Sequence, residues 1–271
     1  VRFFNANTNL ITIFMHNFHS IIYKEYKMKL LRIGLLLVIF FITSLQLNLF
    51  AQESDTSKVV DPKIVLEKYL DAIGGRDALS KVEDRTTIMR GTAMGQSLTI
   101  IVKQKTPNKM RQEVKAGGMD QTIIFDGEKG VMKAAAQNVD VTGKELEQLK
   151  TEASMELMLD PESFGIKLSY EGSEKINGKD VHKIKMTLPS GIRWFTYFDV
   201  ESGLKIKEQK EMQTQMGLIE QVVVYDNYTE VDGIKYPFKL TQSFGPQSVE
   251  MTVSSVKVNK GLSDDIFVIA E

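Results

Sequence analysis

Beyond residue 85 most of the chain alternates apolar and polar residues, and this period of two is typical of β-strands. In "SLTIIVKQK" at 97–105, for example, Leu98, Ile100 and Val102 fall on one face of the strand. Turn pairs such as Asp126-Gly127 and Asp232-Gly233 separate the runs, and both favour tight hairpins because glycine accepts a positive φ. The pattern predicts an antiparallel meander of about eleven strands.

Two segments have helical periodicity instead. Asp61-Pro62 is suited to begin a helix over 62–73, and Gly74-Gly75 to end it. The segment 142–159 carries Thr142 and Glu145 at capping-box spacing and stops at Asp160-Pro161. Its apolar residues fall on one helical face: Leu146, Leu149, Ala153 and Leu157. The two helices and the strands predict a mainly β domain of the α+β class.

The N-terminal region is predicted to lie outside this domain. The stretch "MKLLRIGLLLVIFFITSLQLNLFA" at 28–51 has a basic start, an apolar core and a small residue at its end, as secretory signal peptides do. Its uninterrupted apolar core is shorter than the roughly 20 residues of a membrane-spanning helix, although an uncleaved anchor is an alternative. We therefore expect an upstream translated segment at 1–27, a signal peptide at 28–51, a polar leader at 52–60 and a single domain at 61–271.

Composition narrows the function classes. The chain has 34 Lys and Arg against 35 Asp and Glu, a net charge of −1, so nothing in its charge favours nucleic acid. It has no cysteine, which excludes both a disulfide framework and lipid attachment at a mature N-terminal Cys. We expect a monomeric product, exported by its signal peptide and soluble in the periplasm.

Catalytic chemistry has little support in the sequence. Only His182 of the three histidines lies after residue 51, and it is in phase with Ile184 and Met186, which predicts a half-buried strand position. The sequence has no cluster of metal-ligating side chains at the spacing of a metal site, and no glycine-rich loop that would bind the phosphates of a nucleotide. We predict no enzyme activity, no metal and no cofactor. An enzyme would need a cleft with paired polar groups of perturbed pKa.

Apolar surface is the remaining signal. Methionine side chains adapt to irregular partners, and this chain has 13 of them together with aromatic residues in its strands. Packing in the core would account for any one of these methionine or aromatic residues. Taken together, they would also suit the lining of a cavity that holds acyl chains. Only one phase of each strand can face the helices. Strand 192–200 is apolar in both phases, and we choose the phase of Trp194 because Arg193 belongs to the other. The predicted cavity lining is Leu98, Ile100, Val102, Met110, Val114, Leu146, Leu149, Ala153, Leu157, Ile184, Met186, Ile192, Trp194, Phe198, Ile234, Tyr236 and Phe238.

The order of elements resembles the periplasmic lipoprotein carrier and outer-membrane lipoprotein-sorting family (LolA/LolB-like). The resemblance rests on the signal peptide, on "PKIVLEKYLDAIGG", "KTPNKMRQEV" and "IIFDGEKGVM", on the helix at 142–159 and on the long run of C-terminal strands. It implies a strongly curved antiparallel sheet, an incomplete β-barrel covered by two helices. In that family the cavity between sheet and helices takes up acyl chains, and here 62–73 and 143–159 would form its lid.

Two hypotheses follow from the resemblance and the apolar pattern. The first is a non-enzymatic periplasmic carrier that holds acyl chains of lipoproteins or lipids, with envelope membrane proteins as donors and acceptors of the cargo. The second is an envelope interaction or accessory module with a filled core, like similar domains appended to exported insulinase-type peptidases. A cavity beneath the helices would favour the carrier, and a fully packed interior would favour the module.

Overall fold

The strands form one antiparallel sheet of thirteen in the computed structural model, which describes residues 60–118, 120–134, 137–214 and 217–269. Three α-helices accompany the sheet in these ranges: α1 (Pro62–Ile73), α2 (Arg76–Leu79) and α3 (Gly143–Ala153). Short 3-10 helices lie at Pro161–Phe164 and Asp264–Phe267. The strands are β1 (Asp84–Ala93), β2 (Gln96–Lys105), β3 (Lys109–Ala116), β4 (Gln121–Phe125), β5 (Gly130–Ala134), β6 (Gln137–Val141), β7 (Lys167–Ile176), β8 (Lys179–Thr187), β9 (Arg193–Asp199), β10 (Lys205–Thr214), β11 (Gly217–Val231), β12 (Ile234–Phe244) and β13 (Gln247–Val258).

The sheet consists of two meanders that meet at its centre. Its order is β6-β5-β4-β3-β2-β1-β13-β12-β11-β10-β9-β8-β7, so the chain enters at β1 and runs outward to the edge strand β6. The segment containing α3 then crosses to the opposite edge at β7, and the second meander returns to β13 beside β1. Every connection within a meander is therefore a hairpin, as the turn spacing predicted.

Helix contacts show that the sheet is strongly curved. Helix α3 contacts both β4 and β10, which are separated by six strands in the sheet order. In a flat sheet these two strands would lie about 34 Å apart, whereas the axis of an 11-residue helix is about 16 Å long. The sheet therefore bends around α3, which confirms the predicted curved sheet covered by helices. We call the concave surface the helix-side face.

The observed elements correct three expectations. The strand count is thirteen rather than eleven, partly because β6 reads "QNVDV" and has too little apolar alternation to be recognised. Helix α3 ends at Ala153 instead of residue 159, because Ser154 is extended and its hydroxyl accepts a hydrogen bond from Glu156 N at 3.2 Å. The Thr142 side chain makes no capping hydrogen bond. Helix α1 begins and ends as predicted, and Asp61 caps it by accepting from Lys63 N at 2.9 Å.

Most of the apolar core lies between the helices and the helix-side face. Helix α1 packs five buried side chains against Ile184 and Phe198: Val65, Leu66, Tyr69, Leu70 and Ile73. Helix α3 packs Leu149 and Ala153 against Met110 and Phe125 of the first meander. Each buried Val, Leu, Ile, Met or Phe side chain among these contributes about 1.5–3 kcal/mol by leaving water. The helices are therefore held to both halves of the sheet mainly by apolar contact.

The predictions for the N-terminal region fall on residues 1–59, outside the described part of the chain. None of the helices in the described ranges is both long enough and apolar enough to cross a membrane.

Candidate functional site

The strand register places the predicted strand residues on the helix-side face. Residues directly opposite each other in an antiparallel pair project to the same side of the sheet. Ile100 lies opposite Val114 in the first meander, and Met186 lies opposite Trp194 in the second. The same register carries Leu98, Val102, Met110, Ile184, Phe198, Ile234, Tyr236 and Phe238 to this face. That these side chains hold a ligand stays a prediction.

Trp194 is among the most deeply placed of these residues. It is 3% exposed and packs with Ile192, Met186, Leu188 and Ile166. Its neighbour Arg193 projects to the opposite face, where it pairs with Glu211. The charge of Arg193 was therefore a valid signal for the phase of this strand. The indole Nε1 is buried and has no hydrogen-bond partner among the residues that the structure describes.

The helices supply the other predicted lining residues to the same interior. Leu149 and Ala153 of α3 are buried, and Leu146 of the same helix packs against this cluster. Leu157 lies beyond the end of the helix and packs instead against the group around Trp194. The predicted helix face is thus divided between α3 and the segment that follows it.

A chain of ion pairs also occupies the helix-side face, and sequence reasoning missed it. Glu208 lies between Lys205 at 2.7 Å and Lys210 at 3.4 Å, and Lys210 continues to Glu152 of α3 at 3.8 Å. The Tyr225 hydroxyl donates to Glu208 Oε2 at 2.6 Å. We call Lys205, Glu208, Lys210 and Glu152 the ion-pair chain. Strand β10 carried a usable signal, since "KIKEQKEM" has no consistently apolar phase although it lies inside the sheet.

Burial and neighbouring charge perturb the pKa values of this chain. Burial raises the pKa of Glu208, but the Lys205 and Lys210 ammonium groups lower it by more than burial raises it. The pKa of Glu208 therefore lies well below its ordinary value. Burial raises the pKa of Glu152, and Lys210 only partly offsets this. Burial lowers the pKa of Lys210, but Glu208 and Glu152 raise it more, so its pKa is raised overall. Each charge is satisfied by another member of the chain, which is the arrangement of a structural network.

A second polar link joins β1 to the C-terminal end of α3. The Arg85 guanidinium donates through Nη2 to Gln104 Oε1, and Gln104 Nε2 donates to the carbonyl oxygens of Glu152 and Ala153 at 3.1 and 3.3 Å. Gln104 is 6% exposed, so these bonds are shielded from water. Arg85 also lies over the Tyr236 ring, 5.6 Å from its centroid. Its Nε is buried and finds no hydrogen-bond acceptor within the described ranges.

Two of the pockets at the surface of the described residues lie near helix ends. The larger, about 380 Å³, is lined by Arg76, Asp77, Ser80, Glu156, Leu159, Asp160, Ser163 and Phe164. The smaller, about 210 Å³, is lined by Glu147, Lys150, Thr151, Ser163, Phe164, Leu188, Pro189 and Ser190. None of the predicted lining residues borders either pocket. Helices α1 and α3 cover much of the helix-side face, so a ligand would reach the surface beneath them by displacing a helix.

His182 has the half-buried strand position that its phase predicted. Its Nδ1 lies 3.2 Å from the Tyr170 hydroxyl and 3.3 Å from Ser173 Oγ. Within the ranges that the structure describes, no three acidic, histidine or cysteine side chains are grouped as a metal site requires.

Comparison with known proteins identifies the fold. A LolA superfamily protein of Nitrosomonas europaea aligns with a TM-score of 0.52 at 15% identity, over 78% of this chain and 98% of its own. A DUF1329 family protein of Desulfovibrio piger aligns with a TM-score of 0.50 at 14% identity, over 77% of this chain and 98% of its own. No family model and no curated protein sequence matches the chain.

These alignments agree with the architecture, in which a curved antiparallel sheet is covered by helices on its concave face. The chain has a LolA-like fold, as its order of elements implied. Identities this low show the fold alone.

Proposed function

We propose that the protein binds and carries acyl chains of lipids or lipoproteins between the helix-side face and the helices. One observation supports this most directly: the register aligns a broad set of apolar side chains from both meanders on the face that the helices cover. An acyl chain outside a bilayer needs such a surface, since each buried methylene contributes about 0.8 kcal/mol.

The attachment of α3 suggests how a ligand would reach that surface. Its polar ties to the strands include the Gln104 hydrogen bonds, the contact of Glu152 with Lys210 at 3.8 Å, and the bond from Gln213 N to Gln148 Oε1 at 3.0 Å. If α3 moved away, Val102 and Met110 beneath it would be uncovered. An acyl chain binding there would replace the apolar contacts that the helix gives up.

The proposal includes the expected setting of the protein. A monomer exported to the periplasm would receive its cargo from one envelope membrane protein and release it to another. No catalysis is required, because transfer needs only a change in affinity.

The first experiment asks whether the protein carries lipid. The purified protein is extracted with organic solvent, the extract is analysed by mass spectrometry, and binding of a fluorescent fatty acid is titrated. We expect co-purifying lipid, saturable binding of the probe, or both. Protein that contains no lipid and also fails to bind the probe would refute the proposal.

A matched pair of variants then locates the binding surface. Ile100 lies on the helix-side face, whereas its neighbour Ile101 lies opposite Glu113 on the other face. Ile100→Asn is expected to weaken probe binding at least severalfold because it places an amide in the apolar surface, and Ile101→Asn is expected to leave it unchanged. Equal loss in both folded variants would place the ligand elsewhere.

The apolar packing of the helices on the sheet favours a second candidate, an accessory module that docks on an envelope protein. The two pockets described above are lined by other residues than the predicted lining. This candidate predicts an empty protein that binds no probe yet is retained by a specific envelope partner. Measured lipid binding would exclude it as the sole function.

A further inference from the structure

We infer that Arg85 recognises the anionic headgroup, a carboxylate or phosphate, of an amphiphile whose acyl chain occupies the helix-side face. This inference rests on the proposed function and adds the chemical class of the ligand.

Arg85 is a cation on this face that the ion-pair chain does not neutralise. In the ion-pair chain, Lys205 and Lys210 alternate with Glu208 and Glu152, so two cations face two carboxylates. Arg85 is a third cation on the same face, opposite Gln104 in the β1–β2 register. Among the described residues, no carboxylate lies within ion-pair distance of its guanidinium. Arg85 is therefore a cation without an ion-pair partner among the described residues.

The surroundings of Arg85 make an unpaired guanidinium energetically unfavourable. It is partly buried, its Nε has no acceptor, and its contacts in the interior are the Gln104 amide and the Tyr236 ring. An arginine shielded from water without an anion loses hydration that neutral groups replace only partly. A carboxylate or phosphate fits the guanidinium, whose N–H groups donate to two oxygens at once.

The position of Arg85 also suits an amphiphile rather than a free anion. It lies at the start of β1, and the inward phase of that strand continues through Thr87 and Met89 toward Gly91. The neighbouring strand places Val102, Ile100 and Leu98 beside these positions. The distance along the strand from Arg85 to Gly91 is about 20 Å. A headgroup at Arg85 would therefore leave its chain on the apolar part of the same face.

Calorimetric titration with three probes tests the inference: dodecanoate, 1-dodecanol with the same chain length, and inorganic phosphate as an anion without a chain. The proteins are the wild type, Arg85→Gln and the control Arg90→Gln, whose arginine is exposed on the other face of the same strand. We expect the wild type to bind dodecanoate at least about tenfold more tightly than dodecanol, the size of a hydrogen-bonded charge contact. Arg85→Gln should remove this preference without weakening the binding of dodecanol, and Arg90→Gln should preserve the preference. Inorganic phosphate should show no measurable binding.

The outcomes separate the inference from the proposed function. If the wild type binds neither dodecanoate nor dodecanol, the proposed function fails and the inference fails with it. If it binds both equally, or if Arg85→Gln keeps the preference, acyl binding stands and the role of Arg85 is refuted. Tight phosphate binding that is lost in Arg85→Gln would indicate a site for free anions and would also refute the inference.

Should Arg85→Gln not fold, Arg85→Lys retains the charge without the two-point contact. An acid-to-alcohol ratio in that variant equal to the wild-type ratio would overturn the proposed contact.

Discussion

Asp84 and Asn259 form hydrogen bonds that join β1 to the end of β13, the first and last strands in the sequence. The Asn259 main-chain N–H donates to the Asp84 carbonyl oxygen at 2.9 Å, and the Asn259 side-chain oxygen accepts from Asp84 N at 3.3 Å. The Asp84 carboxylate is 4% exposed and accepts from the next three main-chain N–H groups, those of Lys260, Gly261 and Leu262, at 3.0, 2.8 and 3.2 Å. One buried carboxylate thus reinforces the β1–β13 pairing at the junction of the two meanders.

Replacing this carboxylate should destabilise the fold. Asp84→Ala leaves three amides without their acceptor, and we expect the free energy of unfolding to fall by about 3 kcal/mol. Urea denaturation followed by circular dichroism measures the change. The control Asp180→Ala removes an exposed ion pair with Lys175 and should cost less than about 1 kcal/mol. Equal losses in the two variants would show that the Asp84 contacts do not stabilise the junction.

The single tryptophan allows a direct spectroscopic test of the interior. Because Trp194 is 3% exposed, its emission in the folded protein should lie well to the blue of that in urea. Binding of dodecanoate should shift the emission further, since Lys210 lies 4.4 Å from the ring centroid and its surroundings would change when α3 moves. Emission typical of exposed indole, unchanged by saturating ligand, would place Trp194 outside the binding surface.

The ion-pair chain predicts a pH dependence of stability. The pKa of Glu208 is lower in the folded protein than the value near 4.3 of an unfolded chain, so its contribution is present above that value and is lost as the pH falls toward the folded pKa. Between pH 7 and pH 3 the wild type should lose about 2 kcal/mol through this group.

Glu208→Gln isolates that contribution. The variant should be less stable at pH 7 by about 3 kcal/mol, because Lys205 and Lys210 lose their shared carboxylate, and its stability should fall less steeply toward pH 3. Exposed Glu230→Gln should follow the wild-type curve. Parallel curves for the wild type and Glu208→Gln would contradict the assignment.

The close approach of α3 to the sheet can be tested at Gly130. A methyl group there would lie 2.7 Å from Leu149 Cδ2, so Gly130→Ala should cost about 1–3 kcal/mol by pushing against the helix. Leu149→Ala destabilises by creating a void, but combining the two changes should recover part of the loss. Strict additivity in a double-mutant cycle measured by urea denaturation would show that the two positions do not press on each other.

Local patterns predicted much of the fold. Helix α1 has a cap, an apolar stripe and a terminating Gly74, so neighbouring residues alone determine its limits. The hairpin at Asp232-Gly233 is equally local, because both residues adopt the positive φ that such pairs favour. The charge of Arg193 predicted which face of the sheet Trp194 occupies, because neighbouring residues of a strand project to opposite faces.

Features that depend on distant partners could not be predicted. Leu157 extends the apolar stripe of α3 in the sequence, yet the helix ends before it and the residue packs beside Trp194 instead. The charges of Glu208 and Lys210 are visible in the sequence, but their link to Glu152 depends on how the sheet curves around α3. Periodicity describes the face of an element and carries no information about which remote residue will meet it.

The pairing of β1 with β13 also constrains when the protein can fold. Each meander consists of hairpins between consecutive strands and can form while the chain is being synthesised. The two halves join only when Arg85 of β1 pairs with Val258 of β13, which is synthesised much later. Closing a loop of that length is slow compared with forming a hairpin. The rate-limiting step of folding is therefore expected to come last, and until then each half exposes a long unpaired edge of the kind that chaperones protect and that favours aggregation.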